Sequence, residues 1–515
     1  MTTTAPERPA ELPDAFQHMT MANALRAAMY RAPGKVALRH GAATRTYGEL
    51  VTRMDRATNA AIADLGLKPG DHAALIAKNG LDYIEIVCGV AEAGAAVATV
   101  NPRLSVAEIV AICDDAQAKV AFADRDLAPR LREARFATVR RIIELGPDYE
   151  AWLATGDSPV VRPAPDELRT WVIYYTSGTT GRPKGVLCSH RSRLLSFYAK
   201  AVEYGCFGPD DRFLAITPMC FGGGLGFPMN ALVFGGFTEI MDRFDAAVVL
   251  RKLADDAFTG VFMVPTHFHE MFALDPATLD RCRSAPIGTI ISNAAPLSQA
   301  MKERIVAYFG PGKLHELYAS TEAGLGCNIR PADQLRKVQC VGLPFPGVFI
   351  RISRDDGTDC APDEIGELFC RSPYLFSGYW NRPDETAAAW KDGWVTVGDL
   401  ARRDTEGYVY IVGRKKDMVI TGGVNVYPRE VEEVLHKHPA IAEAAVVGVP
   451  DAKWGERLKA FIVPKPGARV GADDVAAFCA GKLASYKIPK DVAVIAALPR
   501  NANGKVIKAE LARLG

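Results

Sequence analysis

The chain of 515 residues is too long for one ordinary hydrophobic core, so its length predicts at least two domains. Hydrophobic residues make up 49% and charged residues 23%, which is typical of a globular protein that folds in water. Lys and Arg number 61 against 60 Asp and Glu, and the resulting net charge of +1 argues against nucleic acid or an anionic membrane surface as the main partner.

Short apolar runs alternate with segments of helical period from His72 onward. In the first series, strands are predicted at 72–77, 96–100 and 120–123, with helices at 83–90 and 107–113 between them. In a second series, strands are predicted at 171–175, 213–217, 238–241, 261–264 and 287–292. Such alternation is typical of parallel sheets covered on both faces, so we expect an α/β fold with two packed, mostly parallel, doubly wound sheets.

The pattern changes after about residue 341. Residues 348–353 and 367–371, with the turn Asp355-Asp356-Gly357 between them, predict a hairpin-rich β module. From residue 414 a hairpin (418–426), a helix that begins at Pro428, strands at 443–449, 458–463 and 492–495, and a helix at 475–483 predict a small α+β unit. We therefore expect a large N-terminal domain of residues 1–413 and a C-terminal domain of residues 414–515.

The cysteines and the chain start bear on where the protein works. There are eleven cysteines, an odd number without a C-x-x-C pair, which favours reduced thiols. Residues 1–14 lack the apolar segment of a secretory signal, and no uncharged apolar run approaches the roughly 20 residues that span a bilayer. We expect a cytoplasmic protein without a membrane span, and the sequence leaves a homodimer open.

A candidate phosphate-binding loop directly follows the strand predicted at 171–175. Its sequence is Thr176-Ser177-Gly178-Thr179-Thr180-Gly181-Arg182-Pro183-Lys184-Gly185. The three glycines permit a backbone that turns successive N–H groups towards one anion, four hydroxyls add donors, and Lys184 adds a positive charge. The spacing differs from that of the P-loop. A Ser/Thr/Gly linker is the alternative, although linkers seldom follow a buried strand.

This loop resembles that of the adenylate-forming superfamily of acyl-CoA synthetases, peptide-synthetase adenylation domains and beetle luciferases. Four further motifs follow in the family's order: Tyr318-Ala319-Ser320-Thr321-Glu322; Gly393-Trp394 with Gly398-Asp399; Gly413-Arg414-Lys415-Lys416-Asp417 with Gly422-Gly423; and Pro499-Arg500-Asn501-Ala502-Asn503-Gly504-Lys505. Ala319 stands where the family has Gly, and Val397 where it usually has Thr. Five ordered motifs make the resemblance specific, and it is greatest to a stand-alone AMP-forming acyl-CoA synthetase.

The resemblance implies an ATP site built from distant segments. The implied contacts are the phosphate loop (Thr176, Ser177, Gly178, Thr179, Thr180, Gly181 and Lys184), the adenine-side loop (Ala294, Ala295 and Pro296), the adenine ring's neighbour Tyr318, and the ribose contacts Asp399 and Arg414. Asn293 replaces a glycine of the adenine-side loop. Judged alone, Tyr318 would be a core residue, Asp399 a turn residue and Arg414 a solvated side chain.

The implied catalytic residues are Thr321, Glu322 and Lys505. A carboxylate such as Glu322 suits Mg²⁺, although an acid in the first turn of a helix is a common alternative. Lys505 would stabilise the charge that develops when the carboxylate attacks the α-phosphorus, but Asn503-Gly504 alone would indicate only a surface hairpin. We expect Mg²⁺ as the cofactor and ATP and CoA as co-substrates.

The resemblance further implies that the C-terminal domain is mobile, with a hinge at Lys416. After its rotation Gly422 and Gly423 would pass close to the pantetheine arm. The chain ends ten residues after Lys505, which leaves no room for a carrier domain and favours free CoA as the acceptor. A stand-alone enzyme that loads a separate carrier protein, a luciferase-like oxygenase and a nucleotide-binding protein without chemistry are the alternatives.

The identity of the acid is the least determined part of the prediction. Where the family often has Pro-x-Phe-His-x-x-Gly, this chain has Phe221 in place of the histidine, followed by Gly222 and Gly223. Ala319 should narrow the pocket near the carboxylate, and His267 is either a pocket residue or a helix-start residue. No arginine in these stretches could pair with a second carboxylate, so a monocarboxylic acid, fatty or aromatic, is expected. A further histidine, His190, is interpreted as a packing or capping residue.

Overall fold

The structure is a computed structural model that describes residues 18–177, 183–283, 285–500 and 506–514. The predicted loop residues Gly178, Thr179, Thr180 and Gly181, and the predicted catalytic Lys505, lie outside the described residues. Within the described parts of the chain, the strands form four sheets.

The helices are numbered in chain order. They are α1 (Met21–Arg31), α2 (Tyr47–Ala63), α3 (Leu81–Glu92), α4 (Val106–Asp115), α5 (Ala128–Arg132), α6 (Pro147–Ala154), α7 (His190–Tyr204), α8 (Gly222–Val233), α9 (Ala246–Asp255), α10 (Pro265–Phe272), α11 (Pro276–Arg281), α12 (Gln299–Phe309), α13 (Pro383–Ala389), α14 (Pro428–Leu435), α15 (Ala472–Cys479) and α16 (Lys508–Arg513). Short 3-10 turns occur at Pro331–Asp333, Lys415–Asp417 and Ser485–Lys487.

The strands are numbered in the same way. They are β1 (Val36–His40), β2 (Ala43–Thr46), β3 (His72–Ile76), β4 (Ala96–Val100), β5 (Ala118–Ala123), β6 (Arg141–Glu144), β7 (Thr170–Ser177), β8 (Pro183–Ser189), β9 (Arg212–Ala215), β10 (Phe237–Ile240), β11 (Gly260–Met263), β12 (Thr289–Ser292), β13 (Leu314–Ser320), β14 (Gly324–Ile329), β15 (Leu343–Pro344), β16 (Phe349–Ser353), β17 (Gly366–Arg371), β18 (Gly378–Tyr379), β19 (Trp390–Lys391), β20 (Trp394–Val395), β21 (Asp399–Arg403), β22 (Val409–Arg414), β23 (Val419–Thr421), β24 (Val424–Val426), β25 (Ile441–Asp451), β26 (Gly455–Pro464) and β27 (Asp491–Val494).

The first two sheets have parallel centres. The first has the order β18-β8-β7-β4-β3-β5-β6, and the second β15-β14-β13-β12-β11-β9-β10-β1-β2. Every residue of β3 and β4 is buried, as expected for parallel strands covered by helices on both faces. Antiparallel strands form one edge of the first sheet and both edges of the second: β7 pairs with β8, β13 with β14, and β1 with β2. The alternating pattern predicted the parallel centres but not these antiparallel edges.

The third and fourth sheets lie later in the chain. The third is antiparallel, with the order β19-β20-β17-β21-β22 and β16 paired to β17. The fourth has the order β24-β23-β26-β25, with β27 parallel to β26. The chain passes from the third sheet to the fourth between Arg414 and Val419, through the 3-10 turn that contains Lys416.

Local sequence explains where several helices begin and end. Thr46 and Glu49 form a reciprocal capping box at the start of α2, and Ser105 and Glu108 form another at α4. Helix α7 ends at Gly205, whose φ of 60° is left-handed and suits glycine. The helix predicted at 475–483 ends earlier, at Cys479.

Two further observations concern the whole chain. All eleven cysteines are free thiols. In the residues that the structure describes, no helix has the length and apolar character needed to cross a membrane.

Candidate active site

The Asp399 carboxylate lies where the paired strands β21 and β22 meet the distant strand β13. The hydroxyl of Tyr318, on β13 of the second sheet, donates to Oδ2 of Asp399 at 2.6 Å. Arg414 Nε donates to Oδ1 at 3.1 Å, because Asp399 and Arg414 are direct partners in the register of β21 and β22. Burial and the neighbouring carboxylate raise the pKa of the Tyr318 hydroxyl well above its usual value, so it remains a donor. The structure therefore brings together the three residues predicted to contact adenine and ribose.

A glycine turn directs Asp399 into this position. Gly398 has a φ of 76°, a left-handed conformation that glycine adopts without strain. Its N–H donates to Oγ1 of Thr396 at 3.0 Å, and its carbonyl accepts from the N–H of Lys415 at 2.8 Å. The turn is therefore tied to the segment that follows Arg414, so Asp399 and Arg414, the residues predicted to contact ribose, are held by backbone as well as by side chains.

Glu322 lies in the turn that follows β13, not in a helix. Its Oε1 accepts from the hydroxyl of Tyr379 at 2.9 Å, and its backbone carbonyl accepts from the N–H of Phe376 at 2.8 Å. Burial and the Glu322 carboxylate raise the pKa of Tyr379. The first-turn helix interpretation of Glu322 is thus wrong. Thr321 lies beside it in the same half-buried turn.

Lys184 lies next to the Glu322 site. Its side chain is 14% exposed and forms an ion pair with Glu385 of α13. Its Nζ lies 5.2 Å from the centre of the Tyr379 ring, so Tyr379 contacts both Lys184 and the carboxylate of Glu322. Sequence reasoning missed Tyr379 and Glu385. The only local signal was the Gly378-Tyr379-Trp380 run, which places two aromatic side chains after a glycine.

The predicted phosphate loop connects β7 and β8. Thr176 and Lys184 are direct partners in the antiparallel register, as are Ser177 and Pro183. The described ends of the loop are therefore held together by backbone pairing. Sequence reasoning did not predict β8, because it interpreted the Pro-Lys-Gly segment as the end of a loop.

The adenine-side loop follows β12 at the carboxyl end of a parallel strand, where α/β folds commonly bind ligands. Ala294 has a φ of 78°, and its N–H donates to Oδ1 of Asn293 at 2.5 Å. The next residues, Ala295 and Pro296, are exposed. Oε1 of Glu316 accepts from the N–H of Leu297 at 3.0 Å and thereby fixes the end of this loop to β13.

The glycines predicted to line the acyl pocket begin helix α8. A Cβ on Gly223 would come within 2.8 Å of the Phe262 ring, so only glycine leaves that space open. Phe221 is half-buried and Gly222 is exposed, and a Cβ on Gly222 would lie 4.0 Å from Tyr174. Ala319 is half-buried on β13, between the two residues that carry the adenine and metal predictions.

His267 packs at the start of α10. Its ring stacks on Phe244 with centres 4.0 Å apart, and its Nδ1 accepts from the N–H of Val264 at 3.4 Å. Burial lowers its pKa to about 4, so the imidazole is neutral near pH 7. The structure thus places His267 at the start of a helix, which the sequence offered as the alternative, and its role in the pocket stays a prediction.

The C-terminal unit carries the remaining predicted residues. Lys416 is exposed in the turn between the third and fourth sheets. Gly422 and Gly423, with φ of 57° and 80°, form the exposed turn between β23 and β24. Around the segment that contains Lys505, Arg500 and Val506 form an antiparallel bridge.

Charges on this unit act on helix α10 of the N-terminal part. Burial lowers the pKa of His269, the charge of Glu443 raises it, and those of Arg304 and Arg500 lower it further. Arg500 in turn donates to Glu443 at 2.7 Å. Arg500, the last described residue before 501–505, therefore lies close enough to α10 for its charge to act on His269.

Comparisons with known proteins agree with this arrangement. The family model described as AMP-binding enzyme matches residues 25–380, and the model for the C-terminal domain of AMP-binding enzymes matches residues 430–505. A feruloyl-CoA synthase from Amycolatopsis sp is 33% identical over 487 residues, which cover 93% of this chain and 96% of the relative. A fatty acid–[acyl-carrier-protein] ligase, ScoC of Streptomyces coeruleorubidus, is 32% identical and covers 91% of each chain.

A solved structure is similar along nearly the whole chain. It is the o-succinylbenzoate coenzyme A synthetase (MenE) of Bacillus subtilis in complex with ATP and a magnesium ion. The TM-score is 0.85 at 28% sequence identity, and the match covers 95% of this chain and 99% of that one. The two sequence relatives and this structure are similar to both the N-terminal and the C-terminal parts of the chain.

Proposed function

Because the chain belongs to the AMP-binding enzyme family and is an AMP-forming acid–thiol ligase, we propose that it joins ATP and a fatty or aromatic monocarboxylic acid as an acyl-adenylate and then transfers the acyl group to CoA. The site assignment depends on one observation: Tyr318 and Arg414 both donate hydrogen bonds to the carboxylate of Asp399. These residues belong to three separate motifs, and Tyr318 is far from the other two in sequence.

Asp399 is proposed to hold the ribose. A carboxylate offers about four lone-pair positions, and the donors Tyr318 and Arg414 take one on each oxygen. Each oxygen can therefore accept one more hydrogen bond, which suits the two vicinal ribose hydroxyls. Tyr318 would present its ring to adenine, with Ala294, Ala295 and Pro296 on the other side.

The phosphates are proposed to lie near Lys184 and the β7–β8 connection, with Thr176 and Ser177 at its start. A triphosphate would compete with Glu385 for the ammonium of Lys184. Glu322 fits a Mg²⁺ ligand, because Mg²⁺ is commonly held by one or two carboxylates together with substrate phosphates, and Oε2 of Glu322 is not used by Tyr379. When bound, Mg²⁺ would neutralise phosphate charge.

The acid itself is the nucleophile in the proposed first step. Its carboxylate oxygen attacks the α-phosphorus, the bond to the β-phosphate oxygen breaks, and pyrophosphate leaves with the bonding electrons. Two anions must approach each other, so the chain has to supply positive charge where negative charge accumulates. Lys184 and Lys505 are proposed to supply it, with Thr321 as a hydroxyl donor at the same turn as Glu322.

The second step is proposed to need a different position of the C-terminal unit. The thiol sulfur of CoA attacks the acyl carbon, and AMP leaves. The hinge would lie at Lys416, and the turn of Gly422 and Gly423 would then approach the acyl group. Its present exposure supports an adenylation-type position. A carrier-bound pantetheine thiol is a second candidate acceptor, since the ligase ScoC acts on an acyl carrier protein by its name.

We place this activity in the cytoplasm, because eleven free thiols suit a reducing compartment. A homodimer stays a prediction.

The decisive experiment is an acid screen with the purified chain, ATP and Mg²⁺, with and without CoA. AMP formation and product masses would be measured for fatty and aromatic monocarboxylic acids. We expect acid-dependent pyrophosphate exchange without CoA and an acyl-CoA product with it. Exchange that persists while CoA gives no thioester would favour a carrier protein, and nucleotide binding without any exchange would contradict the ligase assignment.

A further inference from the structure

Lys200, in the last turn but one of α7, is a buried lysine that pairs with no carboxylate among the residues described by the structure. The residue is 6% exposed, and its Nζ lies 4.5 Å from the centre of the Phe197 ring and 4.7 Å from that of Phe227. Among the described residues the only charge that acts on it is that of Arg193, which has the same sign. Burial, followed by this repulsion, lowers its pKa well below the usual value.

Such a placement is unfavourable for folding. Lysines are almost never fully buried unless they are paired, because an ammonium loses its hydration in an apolar site. Two aromatic faces recover only part of that loss. Other buried cations of this chain have partners: Lys302, which is 1% exposed, is paired with Glu316. A lysine kept in this state indicates that a ligand supplies the missing partner.

The position of Lys200 points to the acyl pocket. A Cβ built on Gly226 of α8 would lie 3.6 Å from Nζ of Lys200. Because Gly226 has no side chain, the space between the Lys200 amine and α8 is not filled. Gly226 is one helical turn beyond Gly222, about 6 Å along the axis. The ring of Phe227 stacks on Phe262 at 4.5 Å, and Phe262 is the ring that Gly223 approaches. Lys200 therefore borders the glycine-lined start of α8.

A second polar group without a partner shares this helix. Asn230 is fully buried, and within the described residues neither its amide nitrogen nor its amide oxygen has a hydrogen-bond partner. It follows Gly226 by four residues and so lies on the same face of α8. Unpaired polar atoms in a closed apolar environment are rare and again indicate a missing polar ligand.

We propose that Lys200 recognises the far end of the acid, by donating a hydrogen bond from Nζ to an oxygen acceptor that the acyl group carries. The inference rests on the proposed function: it specifies an oxygen acceptor at the far end of the acid, and it extends the proposed monocarboxylic class to acids that carry a second carboxylate there. The preferred acids would carry a hydroxyl, carbonyl or second carboxylate oxygen about one aromatic ring away from the carboxylate that is activated. The sequence argument against such acids considered only arginine and overlooked this lysine.

The test compares matched acids that differ only at the far end. Benzoate, 4-hydroxybenzoate and terephthalate form one series, and cinnamate, 4-hydroxycinnamate and 4-carboxycinnamate a longer one. The value of kcat/KM for pyrophosphate exchange is measured with the wild type, Lys200→Met and Lys200→Arg. A hydrogen bond from a charged donor predicts that Lys200→Met lowers kcat/KM about tenfold or more for the preferred acceptor acids. The unsubstituted acids should change little, and Lys200→Arg should retain part of the preference.

The hydroxyl and carboxylate members of each series distinguish a neutral from an anionic acceptor. Lys200→Met should also raise the midpoint of thermal unfolding, because it replaces a desolvated ammonium with an apolar side chain of similar length. Poor folding would therefore not explain a selective loss. Equal loss for all acids, or no preference for acceptors in the wild type, would overturn the inference.

The inference can fail separately from the ligase assignment. Thermal shift with each acid and AMP measures binding without turnover. If no acid supports exchange, the proposed function fails, but acceptor acids should still stabilise the wild type more than Lys200→Met. If they stabilise both proteins equally, the role of Lys200 is refuted whatever the outcome of the exchange assay.

Discussion

Two side chains organise the candidate site at the scale of single residues. Asp399 receives donors from Tyr318 on another sheet and from Arg414 on the adjacent strand. Tyr379 lies between opposite charges, with its hydroxyl on Glu322 and its ring 5.2 Å from Nζ of Lys184. In the proposed complex, Asp399 sets the position of the nucleoside. Tyr379 keeps Lys184, which would bind phosphate, at a fixed distance from Glu322, which would bind the metal.

Replacing Asp399 tests the nucleoside assignment. Asp399→Asn keeps the shape of the side chain but removes the negative charge that pairs with Arg414. It also replaces one of the two acceptor oxygens with an NH2 donor. We expect KM for ATP in pyrophosphate exchange to rise about tenfold or more, since a hydrogen bond to a charged group is worth about 1.5–3 kcal/mol. Tyr318→Phe is the matched control, because it removes one hydrogen bond to Asp399 and keeps the ring. Its KM for ATP should rise less, and an unchanged KM in Asp399→Asn would remove Asp399 from the site.

Helices and strands were predictable from the sequence where a hydrophobic pattern extended over many residues. The all-buried strands β3 and β4, and helix α3 between them, were predicted close to their observed bounds. Strand β8 was missed, because the Pro-Lys-Gly segment at its start has turn composition, although β8 pairs with the preceding strand β7 as an antiparallel neighbour. The antiparallel edges were missed for a related reason, since strand direction is set by neighbours and not by local periodicity.

The same limit applies to the candidate site. Tyr318, Asp399 and Arg414 were predicted as ligand contacts by resemblance, and the structure adds that Tyr318 and Arg414 both donate to Asp399. Tyr379 and Glu385 were not predicted, because a lone tyrosine or glutamate has no distinguishing pattern and its role arises from neighbours far away in sequence. Lys200 was missed because burial of a charge cannot be deduced from a single helical position.

The turn between β23 and β24 is the element proposed to act only in the second step. Gly423 has a φ of 80°, is exposed, and has no atom within 4 Å of a Cβ built on it. Gly423→Leu should therefore cost only the backbone strain of a left-handed residue, about 1–2 kcal/mol of unfolding free energy. We expect pyrophosphate exchange to be preserved and acyl-CoA formation to fall by at least about tenfold through steric closure.

Gly467 offers a matched control for this substitution. It also lies in an exposed turn of the C-terminal unit, its φ is 77°, and a Cβ built on it meets nothing within 4 Å. Gly467→Leu should show the same loss of stability as Gly423→Leu with no effect on either step. Equal effects of the two variants on thioester formation would mean that strain, and not position, causes the loss.

Buried neutral histidines connect local packing to the stability of the whole molecule. The N–H of Met21, at the start of α1, donates to Nδ1 of His190 at the start of α7, which requires a neutral imidazole. Burial, with a smaller contribution from Arg169, lowers the pKa of His190 to about 3. Burial also lowers the pKa of His315 to about 4, in the same direction as for His267. The interpretation of His190 as a packing residue is consistent with this geometry.

The expected consequence is a loss of stability in mild acid. The unfolded chain binds a proton at His190 below about pH 6.5, while the folded chain does not until about pH 3. The contribution of His190 to folding is therefore complete above pH 6.5 and falls by about 1.4 kcal/mol per pH unit as the pH decreases towards 3. Urea unfolding of the wild type and His190→Gln at several values from pH 7 to 4.5 tests this, because glutamine does not titrate. Parallel pH dependences of the two proteins would contradict it.

The two-position proposal belongs to the whole molecule and is tested best at Lys505. The charges of Glu443 and Arg500 act on His269 of α10, so the described residue Arg500 lies beside the N-terminal part, while the turn of Gly422 and Gly423 is exposed. In this position Lys505 would serve adenylation, whereas the thioester step would use the other face of the C-terminal unit.

Lys505→Ala should therefore lower the rate of pyrophosphate release by about a hundredfold or more, as expected when a charge partner of the transition state is lost. It should retain most of the rate of acyl-CoA formation from preformed acyl-AMP. Lys465→Ala, which removes an exposed lysine of the same unit, controls for loss of charge alone. Equal loss of both half-reactions in Lys505→Ala would contradict the two-position proposal.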